Sequence, residues 1–213
     1  MRKLTIISLI VIAVLFFSGF YFYTILPDTV ITHWNAAGQP NGYMSKLWGA
    51  FLLPIITLGL FFLLAFLPRL DPMEKNYEKF IDYYNSFIFM FVLFMSYVYV
   101  ITILWNLDIK IPIILALLPA LGLLFIYIGI ILRHVKQNWF IGIRTPWTLS
   151  NENVWNKTHL FGSNLFIISG GVIIIGLLFP SIYQMWFIII PIVVSVVWVF
   201  VYSYLVYRKE MKK

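Results

Sequence analysis

Six long stretches of the chain consist almost entirely of apolar residues, and short polar segments separate them. The stretches are residues 4–26, 50–67, 84–105, 112–132, 161–179 and 185–207. About 20 apolar residues are enough for a helix to cross a hydrocarbon core of roughly 30 Å. The apolar residues are continuous rather than alternating, which favours helices over the strands of a membrane barrel. The pattern predicts an all-α membrane protein, a bundle of six transmembrane helices.

Composition excludes the class of water-soluble proteins. Of the 213 residues, 62% are hydrophobic and only 11% are charged, whereas soluble domains are about half apolar and about a quarter charged. The chain contains no cysteine, so it can form neither disulfides nor thiolate metal sites. Its basic residues do not form a stripe with groove-reading motifs, so we expect no direct nucleic-acid binding.

The basic residues indicate the orientation in the membrane. Thirteen of the fifteen lysines and arginines fall in the segments that six spans place on one side, which are 1–3, 68–83, 133–160 and 208–213. The other side contains only Lys46 and Lys110. Because cytoplasmic loops are enriched in Lys and Arg, both termini are predicted to be cytoplasmic in a multi-pass protein of the plasma membrane. Residues 4–26 exceed the apolar region of a signal peptide, so we expect a retained anchor.

The predicted spans contain no ionisable side chains. The six apolar stretches contain no Asp, Glu, Lys, Arg or His, and proton relays or ion-coupled carriers keep such groups inside the bilayer. The histidines, His33, His134 and His159, do not share a metal-ligand spacing, and the sequence has no H-E-x-x-H motif. We therefore expect a protein that is not an enzyme and that uses no metal or cofactor.

Small residues recur in two of the spans. Gly122 and Gly129 lie one heptad apart in the fourth span, and the fifth span contains Ser163, Ser169 and Gly170, together with Gly171 and Gly176. Small side chains allow membrane helices to approach closely. The pattern predicts tight packing between helices.

The first outer loop, residues 27–49, is predicted to be an ordered cap. Val30, Ile31 and Thr32 favour extended backbone, and residues 38–42 have the composition of a turn, with Asn41-Gly42 supplying positive φ. We expect a hairpin with a ligand-binding outer surface, for which the candidate residues are His33, Trp34, Asn35, Tyr43 and Lys46. The alternative is an interfacial aromatic anchor.

The first inner loop, residues 68–83, has the pattern of an amphipathic helix. Asp71 is predicted as the N-cap, with Pro72 and Glu74 in the first turn. The apolar face of this helix would then comprise Met73, Tyr77, Phe80 and Tyr84.

The second inner loop, residues 133–160, is the longest and has an unusual density of Trp, Asn, Arg and His. Gly142 and Pro146 interrupt the chain, so residues 139–149 are predicted to form a tight non-helical turn, with Ser150 capping the next helix. The candidate structural or partner site comprises Asn138, Trp139, Arg144, Thr145, Trp147, Trp155, Asn156, Thr158 and His159.

The sequence leaves several alternative contacts open for Arg144. Its guanidinium is suited to bind carbonyls at the helix start, to stack on Trp, or to bind a lipid phosphate or a partner carboxylate. The sequence leads us to expect that R144A is more damaging than R133A.

The run Asn138-Trp-Phe-Ile-Gly-Ile-Arg-Thr-Pro-Trp-Thr-Leu-Ser, followed by Val154-Trp-Asn-Lys-Thr-His159, resembles the signature of the SdpI family. These are membrane immunity proteins of the bacterial sporulation-delaying toxin system. Residues 26–46 are similar to the uncharacterised domain that often precedes that signature. The resemblance implies two units: residues 1–83 with two spans, and residues 84–213 with four.

The resemblance also implies a function. The best-known relative protects its producer from a secreted antimicrobial peptide and acts as a receptor-like signal transducer that holds a cytoplasmic repressor at the membrane. We know of no catalytic residues in the family to carry over. The sequence therefore favours a binding and signalling protein with a peptide toxin outside and a repressor inside. The alternative is a carrier or flippase for a lipid or a small uncharged hydrophobic solute, and a scaffold for another membrane protein stays open.

Overall fold

The computed structural model describes residues 2–212, apart from the side chain of Arg2. Its six long helices are α1 (Arg2–Ile25), α2 (Lys46–Leu70), α4 (Ile81–Asn106), α5 (Ile113–Leu132), α7 (Glu152–Ile175) and α8 (Ser181–Glu210). All six are long and apolar enough to cross a membrane, which confirms the predicted six-helix class. The charges that the sequence assigns to Arg2 and Lys213 lie outside the described side chains.

Short elements complete the fold at the two ends of the bundle. Strands β1 (Thr29–Trp34) and β2 (Pro40–Ser45) form a hairpin between α1 and α2. Helices α3 (Glu74–Tyr77) and α6 (Pro146–Ser150) lie in the two loops at the opposite end, and a 3₁₀ turn (Gly176–Leu178) follows α7. We call residues 26–49 and the helix termini beside them the hairpin end. Residues 68–80 and 133–151 form the loop end.

The long helices pack as two groups that share a boundary. Helices α1, α2 and α4 contact one another, as do α5, α7 and α8, and α4 also contacts α5. Helix α4 therefore belongs by contact to the N-terminal group and connects it to the second. The division of the chain at residues 83 and 84 stays a prediction.

The closest helix pair is α5 with α7, and the glycines predicted for tight packing lie in it. A Cβ atom on Gly122 would press on the carbonyl oxygen of Gly170, and one on Gly129 would press on that of Ser163. Direct contact between the two backbones replaces the hydrophobic driving force that lipid cannot supply. Gly171, one residue further along α7, faces open space and does not take part.

The outer loop forms the predicted hairpin, but its turn lies earlier than predicted. Oδ1 of Asn35 accepts hydrogen bonds from the backbone amides of Ala37 and Gln39 at 3.0 and 2.9 Å. Gly38 has the positive φ of +75°, and Asn41-Gly42 lies within β2 instead. The prediction that Asn41-Gly42 supplies the positive φ was therefore wrong. The turn at residues 35–39, which the Asn35 side chain fixes, overlaps the predicted turn at 38–42 only at Gly38 and Gln39.

The amphipathic helix predicted for residues 68–83 was wrong as a continuous helix. Helix α2 continues through Pro68 to Leu70, and only the single turn α3 follows before α4. Asp71 does not cap a long helix, because its carboxylate bonds the backbone amides of Met73 and Trp139. Part of the predicted apolar face is nevertheless buried: Tyr77, Phe80 and Tyr84 are at most 2% exposed.

The glycine contact predicts a sharp difference between two neighbouring positions. The variant G170A should lower the free energy of unfolding by about 1–3 kcal/mol, because its methyl group has no room beside the Gly122 carbonyl. The matched variant G171A should keep or slightly raise stability, because alanine favours the helix. Thermal unfolding of the purified variants in detergent measures both. Equal stability of the two variants would contradict the assigned interface.

Candidate functional site

Asn138 is the centre of the loop end. Its side chain is fully buried, and its Nδ2 donates to the carbonyls of Lys136 and Ile141 at 2.8 and 2.9 Å. Its Oδ1 accepts from the backbone amides of Phe140 and Ile141 at 2.9 and 2.6 Å. A single amide side chain thus provides hydrogen-bond partners for backbone N–H and C=O groups of the non-helical turn, which no helix or sheet pairs.

Asp71 connects this turn to the N-terminal group of helices. Its Oδ2 accepts a hydrogen bond from the Trp139 amide at 2.8 Å and from the Tyr77 hydroxyl at 3.2 Å. The same hydroxyl lies 3.1 Å from Oδ1 of Asn138. Burial and the neighbouring Asp71 carboxylate raise the pKa of Tyr77, so its hydroxyl remains a hydrogen-bond donor. Sequence reasoning missed this function of Asp71 and Tyr77, since their partners lie more than 60 residues away.

His159 holds the other side of the turn. Its Nε2 accepts a hydrogen bond from the Ile143 amide at 3.0 Å, and its Nδ1 lies 2.8 Å from the Trp155 carbonyl. The His159 ring stacks on the buried Trp155, whose Nε1 donates to the Val135 carbonyl at 2.9 Å. Gly142 has φ +103°, and any Cβ there would collide with the His159 ring, so only glycine fits.

Side chains also cap the helices that leave the loop. Thr145 is the N-cap of α6 and forms a reciprocal capping box with Thr148, while its hydroxyl reaches Oγ of Ser203 on α8 at 3.2 Å. Asn151 is the N-cap of α7. The predicted cap at Ser150 was therefore wrong: Ser150 ends α6, and the Asn151 oxygen accepts from the two amides of the first turn.

Some of the remaining predicted residues of the loop are buried or partly buried, and others are exposed. Trp147 packs against the rings of Phe200 and Tyr204 on α8. Thr158 is fully buried, and its hydroxyl has no partner among the described residues. The members that face solvent or headgroups are Trp139, Arg144 and Asn156. Arg144 donates to the Trp139 carbonyl at 2.9 Å, which lies in the turn rather than at the helix start that the sequence suggested.

The loop-end residues therefore do two different things. Apart from Thr158, the buried members bond one another and the backbone, which is the bonding of a structural centre rather than that of an open binding site. Of the predicted residues, Trp139, Arg144 and Asn156 are the ones exposed to a partner at this end.

At the hairpin end, Asn106 fixes the hairpin to the helices. It lies at the last residue of α4, where its Oδ1 accepts from the Ile31 amide at 2.8 Å and its Nδ2 donates to the Ile31 carbonyl at 2.9 Å. The amide side chain thus pairs with β1 as a neighbouring strand would. Sequence reasoning missed Asn106, although a single polar residue that ends a long apolar stretch was the available signal.

A cavity of about 300 Å³ lies beneath the hairpin. We call it the hairpin cavity, and its lining residues come from β1 and its end, from the first turns of α2 and α5, and from α4 and α8. Three of the five predicted outer-loop residues line it, namely His33, Trp34 and Asn35. Tyr43 is exposed on β2, and Lys46 forms an ion pair with Asp28 at 2.9 Å, so neither joins them.

A second cavity of about 280 Å³ lies at the loop end. Its walls are apolar and aromatic, and they come from α4, α5, α7 and the turn at residues 140–143. Both cavities therefore lie near helix ends, on opposite sides of the membrane-spanning body.

The fold and its two polar ends define the class: a polytopic α-helical membrane protein with a folded extramembrane hairpin. Residues 134–204 match the SdpI/YfhL protein family, and residues 9–58 match a domain of unknown function, DUF1648. The chain is 27% identical over 208 residues to the Immunity protein SdpI of Bacillus subtilis (strain 168), covering 97% of each chain. These matches confirm the resemblance to the SdpI family found in the sequence. No solved structure matches it.

The hydrogen bonds of Asn138 predict a large loss of stability on truncation. N138A leaves two backbone amides, two carbonyls and the Tyr77 hydroxyl without this partner, which should cost about 3 kcal/mol. The matched variant N156A removes the same side chain from an exposed position of α7 and should change stability by less than about 0.5 kcal/mol. Unfolding in detergent compares the two, and a similar loss for both would refute the central position of Asn138.

The two arginines give a second comparison, in which the contacts reverse the order expected from the sequence. Arg133 joins the end of α5 to α7 through hydrogen bonds to Ser163 and Asn164 at 2.8 and 2.7 Å, whereas exposed Arg144 makes one bond within its own loop. R133A should therefore destabilise the protein by about 1 kcal/mol more than R144A. Melting temperature and abundance in the membrane fraction measure the difference, and a lower value for R144A would restore the original order.

Proposed function

We propose that the protein protects the cell that produces it from a secreted antimicrobial peptide. The observation that carries this proposal is the similarity to an immunity protein over nearly the full length of both chains. Because the match includes the hairpin as well as the loop end, the proposed activity involves both faces of the membrane. The same similarity supports a protein that binds rather than catalyses.

The distribution of charge supports an orientation for this activity. Thirteen of the fifteen lysines and arginines fall in segments that six spans assign to one side, and that side is the loop end. By the positive-inside rule the loop end and both termini are cytoplasmic. The hairpin end then faces the exterior of the plasma membrane, where a secreted peptide arrives.

The surface of the hairpin end suits an apolar peptide. Tyr43, Met44, Leu47 and Trp48 are each between 41% and 60% exposed and follow one another closely along β2 and the start of α2. An exposed group of large apolar side chains marks a site of protein or membrane contact. The nearby Lys46 ammonium is paired with Asp28 and lowers the pKa of that carboxyl, so the surface offers little unpaired charge to an apolar ligand.

The loop end provides the proposed contact for a cytoplasmic repressor. Its exposed surface includes the Arg144 guanidinium and the indole of Trp139, which is 48% exposed. Arg and Trp are the residues most enriched at protein interfaces. Their exposure supports a partner of this kind, whereas the buried members of the site are already occupied by one another.

The alternative, a carrier or flippase, predicts a polar cavity at the middle of the bilayer. The two cavities described above have mainly apolar walls and lie near the helix ends instead. We therefore favour immunity as the proposed function.

Deletion of the gene tests the proposal. Cells without the gene should be more sensitive to culture supernatants of neighbouring bacteria that secrete membrane-active peptides, and the wild-type gene should restore growth. M44D, which places a charge in the exposed apolar group, should restore growth less well than N153D, which places one at an exposed position outside the candidate partner site. Growth-inhibition zones and membrane abundance are measured together. Equal zones with and without the gene, across all supernatants, would refute immunity.

A further inference from the structure

Basic residues are concentrated at the end of α8. Four of the six residues at positions 208–213 are basic, namely Arg208, Lys209, Lys212 and Lys213. The positive-inside rule accounts for cations on this side of the membrane, and the helix dipole favours them in the last turn. Neither effect requires several cations to share one face of one helix, so the cluster needs a further explanation.

The cations of this cluster have little anionic compensation from the chain. After residue 152 the sequence contains one acidic residue, Glu210, and its carboxylate is paired with Lys157 on α7. Lys209 and Lys212 are exposed, and neither has an ion-pair partner in the described part of the chain. Arg208 donates one hydrogen bond to the neutral Tyr204 hydroxyl at 2.9 Å, which leaves most of its N–H groups for another acceptor.

The three described cations share a recess on the surface of α8. Arg208, Lys209 and Lys212 line a shallow recess of about 440 Å³ together with Tyr204 and Leu205. The Tyr204 ring packs against Trp147 of the loop end, and the Arg208 guanidinium lies over the same ring at 5.8 Å. These contacts hold the guanidinium at the recess. A recess lined by three cations and, among the described residues, no carboxylate fits an anion with several oxygen atoms, such as a phosphate.

An exposed apolar row on α8 continues from this recess toward the middle of the membrane. Its members lie at intervals of four residues before Lys209 and are each between 39% and 56% exposed, namely Val193, Val197, Val201 and Leu205. Side chains at this spacing form a row along a helix. The row alone shows that α8 faces lipid, but its continuity with the recess selects among anions. A soluble phosphate needs no such surface, whereas the acyl chains of a phospholipid lie directly beneath its phosphate.

We propose that the recess at the end of α8 binds the phosphate of an anionic phospholipid from the leaflet at the loop end. Arg208, Lys209 and Lys212 surround the phosphate, and the acyl chains lie along the apolar row. The inference rests on the charge and shape of this helix end and does not depend on the immunity function.

Photocrosslinking tests the proposal in a membrane. The purified protein is reconstituted into phosphatidylcholine vesicles that contain a trace of either phosphatidylglycerol or phosphatidylcholine with a diazirine at the start of one acyl chain. Mass spectrometry then measures labelling at Val201 and Leu205. The anionic probe should label these residues more than the zwitterionic probe does. In K209Q/K212Q the ratio of the two should fall by about fivefold to twenty-fivefold, because each basic residue beside an anionic surface contributes about fivefold.

A matched control separates this site from a general attraction to the charged end of the protein. K75Q/K79Q changes the net charge equally by removing two exposed lysines at the same end, where Glu74 and Glu78 are neighbours in sequence. It should leave the labelling ratio within about twofold of the wild-type value. Thermal unfolding in detergent checks that both variants remain folded, which their exposed positions lead us to expect.

A salt comparison distinguishes a lipid from a soluble anion. Potassium phosphate and potassium chloride at the same ionic strength should lower the ratio equally, because both only screen the charges. A loss specific to phosphate would assign the recess to a free anion and overturn the proposal. An unchanged ratio in K209Q/K212Q, or an equal fall in K75Q/K79Q, would overturn it as well.

Discussion

Every non-helical segment of this protein lies at the edge of a membrane, and its backbone needs hydrogen-bond partners that lipid cannot supply. Polar side chains provide them. Asn106 pairs with both backbone groups of Ile31, Asn138 bonds the turn after α5, Asp71 accepts from the Trp139 amide, and His159 accepts from the Ile143 amide. The hairpin, the long loop and both cavities depend on these four side chains, because without them the segments would not hold one position against the helices.

The sequence predicted the features that local pattern determines. Hydropathy specified six spans, and the spacing of Gly122 and Gly129 indicated the close approach to α7. What it did not reveal depends on contacts between distant residues. Asp71 has the spacing of a helix cap, and only the position of Trp139, 68 residues later, makes it a link between loops. Ser150 and Asn151 are both good caps by composition, but Ser150 is the last residue of α6 and Asn151 caps α7.

Helix α4 extends from the loop end to the hairpin end of the molecule. It begins beside the buried cluster of Tyr77, Phe80 and Tyr84 at the loop end and ends at Asn106 beneath the hairpin. It also packs on both groups of long helices. A ligand that moves the hairpin therefore acts on a helix whose other end contacts Tyr77, the residue that bonds Asp71 and Asn138. The function proposed above, in which the hairpin end binds a peptide and the loop end binds a partner, would require such a connection.

The buried histidine in α7 raises the question of whether the protein conducts protons. A proton relay requires a ring nitrogen that can gain and release a proton toward a pathway. In His159 both nitrogens are engaged with the backbone: Nδ1 donates to the Trp155 carbonyl, and Nε2 accepts from the Ile143 amide. Protonation of Nε2 would break the bond to Ile143 and place a charge beside the Trp155 ring in a buried site, at a cost of several kcal/mol. His159 therefore stays neutral and holds the loop in place through its hydrogen bond to the Ile143 amide. This role agrees with a protein that acts by binding at its two faces.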